Sequence, residues 1–196
     1  TYTNGKKQKF IVKTVNPYLN KIAEKLRPLV ADPDEGLRVI AREYEECYQT
    51  GKKDYFEHLK SNPRAYKNML RRSANKKYTY EWTALQNFGG ECTVDDVIQK
   101  ATKSQKIALI LETYCDMNMK YNKNSKGRPV HGEGGVKNCY KAIYQGTYKG
   151  VCGESSNRLY DICEVLGVKA GLASNAKEDH AWLCIAAVDK NGRKYW

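Results

Sequence analysis

Lys149-Gly-Val-Cys-Gly-Glu-Ser-Ser-Asn157 is the stretch on which the reading of this chain turns. A glycine-flanked turn runs here into residues Leu159, Ile162, Cys163 and Leu166, whose three- and four-residue steps predict a helix with one apolar face. Gly167 is the residue expected to end it. Cys152 falls where the turn becomes the helix. The first turn of a helix has unpaired N–H groups and a partial positive charge, and both favour a thiolate over a thiol of ordinary pKa about 8.5. Gly150 and Gly153 leave room for a substrate carbonyl to approach the backbone. Against this stands the common role of cysteine as a small buried hydrophobe.

Downstream lies Asp179-His-Ala-Trp182, and His180 opens a run that reads as a strand. The chain has three histidines, so few other pairings compete with Cys152 and His180. An imidazole beside a thiol can take its proton and return it to a leaving group. Trp182, two residues on, is expected on the same side of that strand as His180.

From about Ser104 to Trp196 the chain resembles the transglutaminase-like superfamily, the papain-related cysteine enzymes. The parts follow the family's order: a helix over Gln105–Tyr121 ending in Met-Lys-Tyr, a loop, a short helix Cys139–Tyr144 followed by Gln-Gly, then Gly150-Val-Cys-Gly-Glu-Ser155 with its helix. Leu166-Gly-Val-Lys-Ala170 matches the next strand, Asp179–Trp182 the histidine strand, and Asp189–Trp196 a following hairpin. The resemblance implies that Cys152 is the nucleophile and His180 the base. It implies a fold in which the nucleophile helix packs on an antiparallel sheet. Tyr121, Gly153 and Trp182 are its candidates for oxyanion and cleft positions.

The chain departs from the pattern twice. Leu183 stands where many relatives carry Asn after His-Ala-Trp. The family's aspartate follows the second hairpin strand, so the resemblance implies a third acid beyond Trp196. Asp189 belongs to the hairpin turn, at the far end from His180. Asp179 adjoins His180, and neighbours along a strand face opposite ways. No third member is assigned.

The expected architecture is α+β: a transglutaminase/papain-like core over 93–196, continuing past its last residue, with a mostly helical region over 1–92. Asn16-Pro17 predicts a helix to about Val30, and Asp32-Pro33-Asp34 a second that Gly51 ends. Short helices are expected around Tyr55–Leu59 and Ala65–Leu70, and an irregular aromatic segment over 75–90. Thr93 with Asp95 and Asp96 reads as another helix start. No Gly/Ser/Pro-rich hinge divides the chain, so the N-terminal part is expected to pack on the core.

Net charge is +12, with +6 in each half, which predicts a generally basic surface. Such a surface suits an anionic cell envelope or acidic partners, and a secreted or envelope location. No concentrated nucleic-acid motif and no apolar run near the ~20 residues of a membrane span is visible. Seven cysteines allow one reactive thiol with either three disulfides or six reduced residues. Cys115, Cys139, Cys163 and Cys184 read as core positions, which favours the reduced state. No Cys-x-x-Cys pair suggests a metal, and no cofactor is implied. His131, in a loop with three glycines, and His58 read as solvated. The fifteen tyrosines among lysines read as amphipathic cover for a basic surface.

The functional expectation is thiol-dependent acyl transfer or hydrolysis at amide bonds of a protein or peptide, in the manner of a cysteine protease, amidase or transglutaminase. The alternative is an inactive transglutaminase-like scaffold that binds protein or cell envelope. A basic nucleic-acid-binding or envelope-binding module is a third reading.

Overall fold

A computed structural model describes residues 2–3, 6–7, 16–49, 94–177 and 179–195. The short helices and aromatic segment expected between 51 and 90, and with them His58 and Cys92, lie outside the described residues. Two short N-terminal strands, β1 (Tyr2–Thr3) and β2 (Lys6–Lys7), pair antiparallel. Helices α1 (Pro17–Ala31) and α2 (Pro33–Gln49) follow. The Asn16 side chain accepts from the Tyr18 N–H at 3.0 Å and caps α1. Asp32 breaks the chain before Pro33, as expected of this sequence.

Helices α3 (Val94–Lys100) and α4 (Lys103–Asn118) come next. Thr102 and Gln105 cap α4 reciprocally. The chain then forms β3 (Met119–Tyr121), an exposed loop, α5 (Cys139–Tyr144) and β4 (Tyr148–Gly150). Helix α6 (Cys152–Leu166) follows and ends at Gly167, whose φ of 72° is the left-handed cap expected there. Strands β5 (Ala170–Asn175) and β6 (His180–Ile185) form one antiparallel hairpin, β7 (Ala187–Val188) and β8 (Lys194–Tyr195) another.

The architecture is α+β, with small two-stranded ladders rather than one broad sheet. Helix α6 packs on β5 and β6, while α1 packs on α5 and α6, and α2 on α4. Ile22, Leu26, Leu37, Ile40, Ile110, Leu111, Ile143, Tyr148, Ile162 and Cys163 belong to one apolar cluster spanning these elements. Each such side chain contributes about 1.5–3 kcal/mol relative to exposure.

Three sequence expectations need correction. The helix foreseen to Tyr121 stops at Asn118, because Met119–Tyr121 pair parallel with Tyr148–Gly150 instead. The strand foreseen at Leu166–Ala170 begins only at Ala170, after the Gly167 cap. Cys163 is buried, but Cys115, Cys139 and Cys184 are half-buried at the edges of the core; all are free thiols.

Gly36 is the tightest point in the helical layer. A Cβ there would lie 2.2 Å from the Leu29 carbonyl oxygen and 2.9 Å from Ile110 Cδ1. Backbone cannot yield at such a distance. Gly36→Ala is therefore expected to destabilise the chain by about 1–3 kcal/mol, read as a lowered urea midpoint.

Candidate active site

Cys152 reaches its position through the backbone on either side of it. β4 ends at Gly150, and Val151, extended at φ −82° and ψ 173°, is the N-cap of α6. Val151 has no side-chain oxygen, so the cap is made from the other side. Glu154 Oε2 accepts from the Val151 N–H at 3.0 Å. The first amides of α6, those of Cys152 and Gly153 among them, have no carbonyl within the helix to bond. Cys152 itself is half-buried at this opening.

The Glu154 carboxylate also reaches across to the glycine-rich loop. Its Oε1 accepts from the Gly132 N–H at 2.7 Å, and its Oε2 from the Glu133 N–H at 3.3 Å. Partial burial alone would raise the pKa of Glu154, but these three amides outweigh it and hold the carboxyl below its ordinary range. The His131 Nδ1 lies 3.9 Å from Glu154 Oε1, with a ring that is largely exposed. The loop carrying His131 is thus tied to the turn at Cys152, while His131 itself is solvated as expected.

Glu133 takes a left-handed φ of 50° between Gly132 and Gly134, and its side chain holds it there. Oε1 accepts from Arg158 Nε at 2.7 Å and from the Tyr148 hydroxyl at 3.2 Å; Oε2 accepts from the Cys139 thiol at 2.7 Å. Arg158 also donates to Asp161 and Tyr140, and the Tyr140 hydroxyl donates to Asp161. Burial, then the Glu133 carboxylate, push the Cys139 thiol up to about 11. Burial pushes Cys163 up to about 12.

The other wall of the site is the start of β6. An added Cβ on Gly153 would lie 3.8 Å from the Ala181 methyl, and the Ser156 hydroxyl donates to the Ala181 carbonyl at 3.4 Å. Ala181 therefore faces α6. The pleat then puts His180 and Trp182 on the opposite face of β6. Their rings stack there, 5.8 Å apart at 26°, and both residues are exposed. Among the described residues no hydrogen bond joins Cys152 to His180. Leu183 faces α6 and packs on the apolar cluster.

Tyr121 is the register partner of Gly150 and is 48% exposed. Its phenol is raised by desolvation, and then by the neighbouring Cys152 and Asp179. The structure thus gathers Tyr121, Cys152, Gly153 and Asp179 around the α6 opening, with His180 and Trp182 on the far face of the adjoining strand. Asp179, at φ 47°, lies in the turn that closes the β5–β6 hairpin rather than in the strand. Asp189 is consumed by its own turn, accepting from the Asn191 and Arg193 N–H groups at 2.9 and 2.8 Å. Among the described residues no three His, Cys, Asp or Glu side chains converge as metal ligands would. No described helix is long and apolar enough to cross a membrane.

Sequence reading missed the parts played by Glu133 and Glu154. Glu154 did leave a signal, since an acidic residue three positions after an N-cap is half of a capping box. Glu133 left none beyond its place among glycines.

No family model, curated protein or solved structure matches the chain.

A carboxyl held low in the fold stabilises it fully above its unfolded pKa, about 4.3, and the contribution fades as pH falls through the lower folded value. Glu154→Gln is therefore expected to lower the melting temperature at pH 7. The gap between the two proteins should narrow as pH falls below about 4.3, as read by thermal unfolding across pH 3–7.

Proposed function

We propose that the chain performs thiol-dependent acyl transfer or hydrolysis at amide bonds, with Cys152 as nucleophile and His180 as base. The observation that carries this reading is the half-open thiol at the first turn of α6, with helix-start amides beside it and Tyr121 within electrostatic reach.

In the forward step His180 takes the Cys152 proton and the sulfur attacks the amide carbonyl carbon. The Cys152 N–H donates to the developing oxyanion, and the Tyr121 hydroxyl is the second donor. The C–N bond breaks as His180 protonates the leaving amine, which leaves a thioester on Cys152. Water or a primary amine then attacks that carbonyl, giving its proton to His180, and the thiolate departs. Hydrolysis and transamidation share every residue named, and differ in which acceptor enters the cleft.

His180 must leave its stack on Trp182 and turn over the strand end to reach the sulfur. Catalytic hydrogen bonds often tighten only once substrate is bound. Trp182, 39% exposed, is the cleft wall that this turn uncovers. Replacing Cys152 with Ala is expected to abolish cleavage or amine incorporation on amide substrates while leaving the circular dichroism spectrum unchanged. Residual activity of the parent size in that variant removes Cys152 from the chemistry.

A second reading is a catalytically inactive scaffold of the same architecture that binds protein or cell envelope. It is favoured by the His180–Trp182 stack and by the absence of a hydrogen bond from His180 to Cys152 among the described residues. Iodoacetamide at pH 6, followed by peptide mapping, separates the two. The acyl-transfer reading expects Cys152 to alkylate first of the seven cysteines, with Cys139 and Cys163 slowed by their raised pKa values. Slow, uniform labelling favours the scaffold.

A further inference from the structure

The equal division of charge between the halves conceals a strong local concentration. From Lys120 to Lys149 the chain carries seven Lys and Arg against one acidic residue, half of the net +12. That one acid, Glu133, is turned inward onto Arg158, Tyr148 and Cys139. Among the described residues no carboxylate pairs with Lys126, Arg128 or Lys149, although all three are exposed.

Three of these charges, Lys123, Lys126 and Arg128, sit on a built arm. The Asn122 N–H donates to the Gly150 carbonyl at 3.1 Å, and its side-chain amide to the Val130 carbonyl at 2.6 Å. The Val130 N–H returns to the Asn122 carbonyl at 3.0 Å. At the tip, Asn124 Oδ1 accepts from the Lys126 and Arg128 N–H groups at 2.9 and 3.0 Å. Residues 123–130 are all exposed, yet their backbone is bonded to itself. The charges are therefore presented with little backbone ordering left to be lost on binding.

Two further observations place this arm beside the chemistry. The β3–β4 ladder is parallel, so both chains leave it at the same end: β3 into the arm and β4 into Cys152. Lys120 and Lys149 are direct register partners and share the face opposite the buried Tyr148. Like charges set opposite each other in a ladder are destabilising. Gly134, at φ 65°, passes over Lys149, where a Cβ would lie 3.1 Å from that residue's own Cβ. The Lys149 stem is thereby held against the glycine loop.

We propose that the arm 122–130, together with Lys149, is a docking surface for an acidic polypeptide segment. It rests on the acyl-transfer reading for its purpose, which is to lead a neighbouring amide of that polypeptide to Cys152. The partner's class follows from what the arm lacks. Positions 122–130 contain no aromatic residue on which bases would stack. The arm is a short hairpin and has no amphipathic helix to lie in a lipid interface. What it offers is a group of point charges around a fixed hairpin turn, which matches a run of Asp and Glu.

The test uses the full chain carrying Cys152→Ala, so that nothing turns over. A fluorescein-labelled peptide with a run of glutamates is titrated by anisotropy beside a neutral peptide of equal length, at low salt and at about 0.15 M. The acidic peptide is expected to bind and the neutral one not to, with affinity falling as salt rises. Adding Lys126→Glu and Arg128→Glu should weaken binding roughly tenfold, the scale of a few surface ion pairs. Equal binding by that variant overturns the proposal. So does tighter binding of polyuridylate, or of phosphatidylserine vesicles, than of the peptide. No binding of the acidic peptide by the Cys152→Ala chain, with Cys152 of the unsubstituted chain still the first to alkylate, overturns the docking surface and leaves the chemistry standing. Binding by the Cys152→Ala chain, with a sluggish Cys152 in the unsubstituted chain, keeps the surface and overturns the chemistry.

Discussion

The carboxylate of Glu154 accepts three backbone N–H groups, from Val151, Gly132 and Glu133, and the candidate site depends on this one convergence. Val151 cannot cap its own helix, so without Glu154 the amide preceding Cys152 has no side-chain acceptor. The same two oxygens fasten a loop rich in left-handed residues to the turn before Cys152. That loop in turn carries Glu133, whose side chain runs down to Arg158 and ties the turn to the middle of α6. A single side chain thus couples the start of the helix to a segment 21 and 22 residues away in sequence. A carboxylate with three N–H donors resists protonation, which keeps the arrangement intact at neutral pH.

The parallel β3–β4 ladder is a second constraint, and it explains why Cys152 and the basic arm lie at one end. Parallel strands need a crossover connection, here the basic arm, the glycine loop and α5. The crossover must leave β3 and re-enter β4 from opposite ends. The outgoing chain therefore emerges beside Gly150, two residues ahead of the thiol. Tyr148 fills the inner face of the ladder, and its hydroxyl reaches Glu133 at 3.2 Å. Gly150 has to be glycine for this ring to lie where it does, since a Cβ there would meet the Tyr148 hydroxyl oxygen at 2.4 Å. One aromatic ring accordingly joins the core, the ladder and the loop network.

Local signals in the sequence were enough for the helices. Asn16-Pro17 and Gly167 act within one turn of the elements they bound, so α1 and α6 were legible at those ends, whereas α4 was foreseen from Gln105 without the Thr102 cap that starts it. The hairpin strand opening at His180 was legible for the same reason. Met119–Tyr121 was not. Nothing in those residues breaks a helix, and their partner strand lies 29 positions further on. Three residues of pairing, seated on a buried tyrosine, override the helical preference. Cys152 was legible as a helix-start thiol, and so was the shared face of His180 and Trp182. The inward turn of Glu133 and the reach of Glu154 were not, because both are contacts across the fold. Equal charge in the two halves likewise concealed a basic stretch that lies wholly within the second half.

The pleat of β6 sets the requirement that the proposed chemistry has to meet. Ala181 is committed to α6 by its methyl and its carbonyl, so the strand cannot rotate to bring its other face inward. A shift of register by one residue would expose Leu183 and Ile185 and bury His180 and Trp182, which the apolar cluster opposes. Movement is therefore confined to the side chain and the turn before it. His180 is the first residue of its strand, and Asp179 ahead of it is already left-handed at φ 47°. A ring at the end of a strand has no preceding strand residue to block its passage around the edge, as one in the middle would. The stack on Trp182 is a contact of exposed rings, which water can compensate at small cost. Any approach of the imidazole to the sulfur, as the proposed chemistry needs, therefore begins with the loss of one exposed stacking contact at a strand terminus.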